Sequence, residues 1–128
     1  MTVTVRIDTD RCLVVARFSG AIDFDDIMGW LESLRDSPDY HPSFMAAVDL
    51  RAISLKQTRP DKAEELARHM VDSHLSTGRW AVIVSGPVAT ALTVLYQAIA
   101  STQHPIGVFS TRLAAAEFLG CDLSTDLP

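Results

Sequence analysis

The chain has 128 residues, of which 48% are hydrophobic and 21% are charged, and its formal net charge is -5. This length and composition fit a single domain over residues 1–128 with one hydrophobic core, and they exclude an intrinsically disordered chain. An acidic chain is poorly suited to general nucleic-acid binding, which needs a basic surface, so no nucleic-acid partner is expected. No stretch reaches the roughly 18 apolar residues of a membrane span.

The chain begins with two strand patterns. Residues 2–7 alternate with a period of two and residues 12–18 are mostly apolar, with an Asp-Thr-Asp turn between them. This pattern predicts an antiparallel hairpin, which we expect residues 19–20 (Ser-Gly) to end. Asp23 is expected to cap an amphipathic helix over residues 24–35, because an aspartate accepts hydrogen bonds from the free N–H groups of a first turn.

Buried strands and helices then alternate. Residues 44–50 are almost continuously apolar, as is typical of a strand covered on both faces. Pro60 fits the first position of a helix that continues to about residue 76. A buried strand over residues 80–84 and a strongly apolar helix over residues 88–102 follow.

The last elements are a short strand over residues 106–109 and a helix from Ser110 to Leu119, after which the tail from Cys121 is expected to be loose. The order ββαβαβαβα predicts an α/β fold. We expect a five-stranded, mostly parallel sheet with an antiparallel N-terminal hairpin and about four flanking helices. Strands 45–50, 80–84 and 106–109 should be parallel and central.

Several segments, in this order, resemble the SpoIIAA-like group of STAS-type proteins, which is related in fold to bacterial anti-sigma-factor antagonists. The segments are Phe18-Ser-Gly20, Val48-Asp-Leu-Arg51, Arg79 to Val84, Val108-Phe109 and the final helix ending Ala115-Ala-Glu-Phe-Leu119. The resemblance covers about residues 3–119. It implies a SpoIIAA-like fold and a non-catalytic role as a protein-interaction or regulatory module.

The chain departs from that family at two places. Phosphorylated antagonists carry Asp-Ser-Ser-Gly where this chain has Gln57 to Pro60, so only Thr58 offers a hydroxyl at the position of the phosphorylatable serine. We predict that Thr58 caps a helix and is not stoichiometrically phosphorylated. Relatives also often carry Gly and Arg in the helix after the fourth strand, where this chain has Ala91 and Val94.

No catalytic residue is predicted. The chain has no G-x-S-x-G elbow, no P-loop and no G-x-G-x-x-G. His69 and His74 are five residues apart, which does not place them on one helix face as zinc ligands, so no metal and no cofactor are expected. His41 and His104 each precede a proline and are expected at the surface. Cys12, placed in the second strand, and Cys121 form no CxxC pair, and we expect reduced thiols and a cytoplasmic location.

A basic patch follows the third strand. Its members, which could hold a small anion or an acidic partner surface, are Arg51, Lys56, Thr58, Arg59 and Lys62. The alternative is that these side chains only keep an edge solvated. Asp49, at the end of the strand, is expected to shape the next loop by accepting backbone N–H groups.

The helix over residues 88–102 is apolar nearly all round, so it must be covered on more than one side. The second cover would be a neighbouring helix, a partner chain such as a second copy in a homodimer, or a lipophilic ligand. Two functions stay open. The first is a protein-interaction module, and the alternative is a carrier of a small apolar or amphipathic molecule, since Sec14-type lipid-transfer proteins are similar in fold. Trp30 and Trp80 are expected in the core.

Overall fold

A computed structural model describes all residues from 1 to 128. Five strands and four helices follow one another in the predicted order. They are β1 (Thr2–Asp8), β2 (Leu13–Ile22), α1 (Phe24–Arg35), β3 (Met45–Leu55), α2 (Pro60–Ser73), β4 (Trp80–Ile83), α3 (Pro87–Ala100), β5 (Ile106–Phe109) and α4 (Arg112–Leu119). None of the four helices combines the length and the apolar character needed to cross a bilayer.

The five strands form one sheet in the order β1-β2-β3-β4-β5. β1 is antiparallel to β2, and every other neighbouring pair is parallel. The predicted fold class is therefore confirmed. The prediction that the last strand is central is wrong, because each strand pairs with its neighbour in sequence and β5 is left at an edge.

The two faces of the sheet are covered differently. Helices α1, α2 and α3 pack on one face, where Trp30, Leu66 and Ala100 join the larger of two buried apolar clusters. Helix α4 and the C-terminal tail pack on the other face. The prediction of a loose tail is wrong, because Leu123 and Leu127 are buried in the smaller cluster and exclude water from that side of the sheet.

Strands β2 and β3 run further than predicted. Their pairing continues from Ser19 beside Ala52 to Ile22 beside Leu55, so the predicted ends at residues 18 and 50 are wrong. Gly20 does not break β2, since glycine tolerates its φ of 86° while it stays paired with Ile53 of β3. The two strands therefore project beyond β4, whose pairing with β3 ends at Asp49.

The helix starts show one correct prediction and one error. Asp23 caps α1 in a reciprocal capping box with Asp26, as predicted. Thr58 does not cap α2, because the residue before a proline is held extended and Arg59, before Pro60, therefore takes the cap position. The helix also ends earlier than predicted, where His74 adopts a left-handed conformation with a φ of 50°.

Two further placements differ from expectation. Cys12 lies in an exposed turn before β2, with a φ of 52°, and not within an apolar strand. His104 is buried, not exposed, because the short connection from α3 to β5 brings its ring against Trp80 at 5.6 Å between centroids. His41 is exposed, as expected, and both cysteines are free.

Candidate functional site

An apolar pocket lies between the sheet and the three helices α1, α2 and α3. Its volume is about 90 Å³, and 16 of the 17 residues that line it are hydrophobic. The lining residues are Phe18, Phe24, Ile27, Trp30, Leu31, Val48, Leu50, Ile53, Leu55, Ala63, Leu66, Trp80, Val82, Ala89, Leu92, Thr93 and Tyr96. The space extends to the carboxyl ends of the parallel strands, where open α/β sheets usually bind ligands.

A β-bulge shapes the sheet wall of this pocket. The register of β2 and β3 shifts between Arg17 and Ser19, so that Leu50 and Arg51 of β3 together oppose the single residue Phe18 of β2. The extra residue reverses the alternation of β3. Ile53 therefore joins Leu50 on the pocket side.

Helix α3 forms the opposite wall. Its lining residues Ala89, Leu92, Thr93 and Tyr96 recur every three to four positions and so share one face of the helix. With a rise of about 1.5 Å per residue, Ala89 and Tyr96 are roughly 10 Å apart along the helix axis. The small side chain of Ala89 stands near the start of the helix, and the large ring of Tyr96 lies about two turns further along it.

Both tryptophans of the chain line the pocket. Trp30 stands edge-on to Phe18 at 5.2 Å between centroids and lies 6.1 Å from Trp80. Both are buried, as predicted for core residues. Because they also border open space, their fluorescence would respond to anything that fills it.

The pocket holds few polar groups. The hydroxyl of Thr93 donates to the carbonyl of Ala89 at 2.7 Å and is thus already paired. Burial, together with the nearby Tyr40, raises the pKa of Tyr96 well above its usual range, with no hydrogen bond contributing. The Tyr96 hydroxyl therefore stays protonated at neutral pH.

Asp49 and Arg51, on either side of the pocket residue Leu50, face the other side of the sheet. Asp49 is 2% exposed and accepts hydrogen bonds from the Arg51 guanidinium at 3.0 and 2.9 Å and from the Arg51 backbone N–H at 3.0 Å. Arg17 approaches to 3.9 Å. Burial alone would raise the pKa of Asp49, but the hydrogen bonds and charge of Arg51 outweigh it and lower that pKa.

The predicted basic patch is divided between the two faces. Arg51 donates to the carbonyl of Pro128 at 3.0 Å, on the face covered by α4 and the tail. Arg59 pairs with Asp61 at 2.7 Å and Lys62 lies 3.4 Å from Glu65, all at the start of α2 on the opposite face.

Lys56 directly follows the pocket residue Leu55, and Lys62 directly precedes the pocket residue Ala63. Thr58 is exposed in the loop between them. Each arginine of the patch thus has its own carboxylate partner. Anion binding by the patch stays a prediction.

The sequence indicates a lipophilic ligand as one cover of helix 88–102, but the sheet wall of this pocket is not predicted, although a signal for it is present. The segment Ala52-Ile53-Ser54-Leu55 alternates polar or small with large apolar residues, which is typical of a strand with one buried face. That alternation predicts a longer third strand. It does not predict the bulge, which is defined by pairing with β2.

The outward side of α3 is a second unusual surface. No charged residue occurs anywhere between Pro87 and Ala100. Val88 and Val94 are 46% and 47% exposed, and Ala91 and Ala98 are also exposed. We call this set, Val88, Ala91, Val94 and Ala98, the outer face of α3.

These features define an α/β protein with an apolar pocket at the helix-covered side of its sheet. No family model matches the sequence, and a search of curated proteins finds no match. Among solved structures, the chain is similar to an uncharacterised protein from the DUF3478 family with a SpoIIAA-like fold from Shewanella loihica PV-4. The TM-score is 0.57, at 16% identity over 92% of each chain. The fold is therefore SpoIIAA-like, as the resemblance implied.

Proposed function

We propose that the protein is a non-catalytic binding module that holds a small apolar molecule, or the apolar part of an amphipathic one, in the pocket beneath α3. The main support for this proposal is the composition of the pocket lining, in which 16 of 17 residues are hydrophobic. Apolar surface that stays unpacked inside a protein forfeits dispersion contacts, and an apolar ligand restores them. Apart from Tyr96 and Thr93, no lining residue carries an acid, a base or a nucleophile, which supports binding without chemistry.

The volume sets the size of the ligand. A cavity of roughly 150 Å³ lined by aliphatic and aromatic side chains stays dry and binds benzene. The pocket here, at about 90 Å³, is smaller but opens to solvent. It therefore suits one ring or one branched alkyl group, with any larger remainder of the ligand outside.

Toluene titration tests this proposal, with tryptophan fluorescence as the readout because Trp30 and Trp80 border the pocket. We expect saturable quenching or a spectral shift, and a rise in the melting temperature. Ala89→Leu places a larger side chain in the pocket and should weaken binding about tenfold or more. Ala91→Leu, on the exposed side of the same helix, is the matched control and should bind as the wild type does. Equal binding by the two variants contradicts the proposed site.

A second function is favoured by the outer face of α3, which supports an interaction module that forms a homodimer. An uncharged face offers no electrostatic attraction to a charged partner. Two copies of this chain, each of net charge -5, can nevertheless contact each other through this face without like-charge repulsion in the contact. Half-exposed valines on one helix stripe are typical of a contact surface.

Sedimentation velocity at micromolar concentration tests this second function. We expect a dimer that Val94→Glu converts to a monomer, because the variant places two carboxylates in the contact. The matched control is Leu113→Glu, since Leu113 is an equally apolar, 68% exposed residue on α4. A monomeric wild type, or a dimer that both variants leave intact, contradicts dimerisation through α3.

A further inference from the structure

We propose that the apolar pocket selects an uncharged aromatic ring over a saturated hydrocarbon ring of the same size. This inference rests on the proposed ligand-binding function and names the ligand class of that site. It is carried by the residue types of the lining and by two aromatic side chains in it, Phe24 and Tyr96, that have no partner ring within the protein.

The ligand must be uncharged where it contacts the pocket. The lining contains no lysine, arginine, histidine, aspartate or glutamate. A charge buried there would lose its hydration without gaining a partner, which is far more costly than burying apolar surface. The lining therefore admits a hydrocarbon ring and disfavours a ring that carries a charged group.

Aromatic side chains are concentrated in this lining. Nine of the 128 residues are aromatic, and five of those nine line the pocket. These five are Phe18, Phe24, Trp30, Trp80 and Tyr96. They belong to β2, α1, β4 and α3, so the sheet and two of the helices each contribute at least one ring. A molecule in the pocket therefore contacts aromatic carbon on more than one side.

Most aromatic rings of the chain already have a partner ring. Seven of the nine belong to four ring pairs, with centroids 5.2 to 6.1 Å apart, which are Phe18–Trp30, Trp30–Trp80, Tyr40–Phe44 and Phe109–Phe118. The two rings outside these pairs are those of Phe24 and Tyr96, and both line the pocket. The aromatic groups that lack a partner thus border the space that a ligand would fill.

A ligand ring would supply the missing partner. An aromatic ring has a negative face and a positive edge, so a stacked or edge-to-face contact contributes about two- to tenfold in affinity beyond its contact area. A saturated ring of the same size makes similar dispersion contacts but has no such face or edge. The pocket should therefore distinguish the two kinds of ring through Phe24 and Tyr96.

The test compares toluene with methylcyclohexane, which have the same number of heavy atoms and differ in the saturation of the ring. Dissociation constants are measured by calorimetry and tryptophan fluorescence on the wild type, on Phe24→Leu and on Tyr96→Leu. In both variants we expect toluene to bind about two- to tenfold more weakly and methylcyclohexane to change by less than about twofold. Because each ligand is compared with itself across variants, the difference in hydration between the two ligands cancels.

Two controls accompany this comparison. Ile53 is an aliphatic residue of the same lining, so Ile53→Leu should leave the ratio of the toluene and methylcyclohexane affinities unchanged. Benzoate, the charged probe, should bind the wild type more weakly than toluene does. Circular dichroism checks the fold of each variant. If Tyr96→Leu does not fold, Phe24→Leu decides alone, since Phe24 is half-buried and leucine suits its helical position.

The outcomes separate this inference from the function on which it rests. If both hydrocarbons bind the wild type and the leucine variants weaken both equally, the pocket stands and its preference for aromatic rings is overturned. Benzoate binding as tightly as toluene overturns the uncharged class. If neither hydrocarbon binds the wild type, the ligand-binding function fails and this inference fails with it.

Discussion

Leu50 and Ile53 line the same pocket although three positions separate them in one strand. In an uninterrupted strand, side chains alternate between the two faces, and residues three apart point in opposite directions. The bulge at Leu50 and Arg51 reverses that alternation. As a result, one side of β3 builds an apolar pocket wall, while Asp49 and Arg51 are turned to the opposite face.

The buried pair of Asp49 and Arg51 should matter for stability. Replacing Arg51 with Met leaves a carboxylate that is 2% exposed, with only the backbone N–H of residue 51 to donate to it and Arg17, at 3.9 Å, as the nearby positive charge. We expect a loss of about 2 kcal/mol in the free energy of unfolding, measured by urea denaturation.

The chain contains a matched control for this prediction. Arg59 and Asp61 form the same two hydrogen bonds at the same spacing, but both are exposed. Replacing Arg59 with Met should therefore have little measurable effect, since exposed ion pairs are screened by solvent. Equal losses in the two variants would show that burial of Asp49 is not what makes its pair important.

A feature of this molecule can be predicted from the sequence when local interactions define it. Features that depend on pairing between distant segments cannot be predicted in this way. The order of elements and the cap at Asp23 follow from local patterns, and the structure confirms the predicted fold. The alternation of residues 52–55 indicates the longer β3, whereas the continuation of β2 past Gly20 depends on its pairing with β3. The bulge, and with it the pocket, is a property of that pairing.

The exposure of residues outside helices and strands was also predicted wrongly. His104 before a proline looks like a surface histidine, yet a five-residue connection between α3 and β5 holds it against Trp80. The spacing of Leu123 and Leu127 is compatible with one buried stripe. The sequence of this short tail after Gly120, however, does not indicate which surface of the protein the tail covers. In both cases the tertiary contact, and not the local sequence, decides the exposure.

The buried His104 predicts a loss of stability in mild acid. Burial lowers the pKa of His104 in the folded state, whereas in the unfolded chain its pKa is about 6.5. Between these two values the unfolded chain binds more protons. The His104 contribution is therefore fully present above about pH 6.5 and is lost as the pH falls below it.

Replacing His104 with Gln removes this titration. Urea denaturation between pH 8 and pH 5 should show a smaller decrease in unfolding free energy for the variant than for the wild type. The exposed His41 gives the control, since His41→Gln should leave the slope unchanged. A wild-type slope that survives in His104→Gln would assign the pH dependence to other groups.

Two glycines should respond in opposite directions to alanine. Gly29 lies in the exposed middle of α1, and a Cβ there would meet nothing within 4 Å. Gly29→Ala should stabilise the protein by about 0.5–1 kcal/mol, because alanine restricts the unfolded chain and favours the helix.

Gly78 lies where the backbone of Phe44 passes close by, and a Cβ would clash with the Phe44 carbonyl oxygen. Gly78→Ala should therefore destabilise the protein by about 1–3 kcal/mol, since backbone must move to admit the methyl group. Thermal denaturation of both variants checks the two signs. A stabilised Gly78→Ala would mean that the approach of Phe44 is looser than the structure has it.

The C-terminal tail should stabilise the molecule through Leu123. This side chain is fully buried against the sheet face that α4 leaves open, and the tail is held in place by Arg11, which donates to the Asp122 carbonyl at 2.9 Å. Leu123→Ala removes buried methyl groups and leaves a cavity, so we expect a loss of about 2–4 kcal/mol in unfolding free energy. The matched control is Leu113→Ala, where the side chain is 68% exposed and the expected change is below about 0.5 kcal/mol. Urea denaturation of both variants makes the comparison, and a Leu123→Ala variant as stable as the wild type would show that the tail is not part of the core in solution.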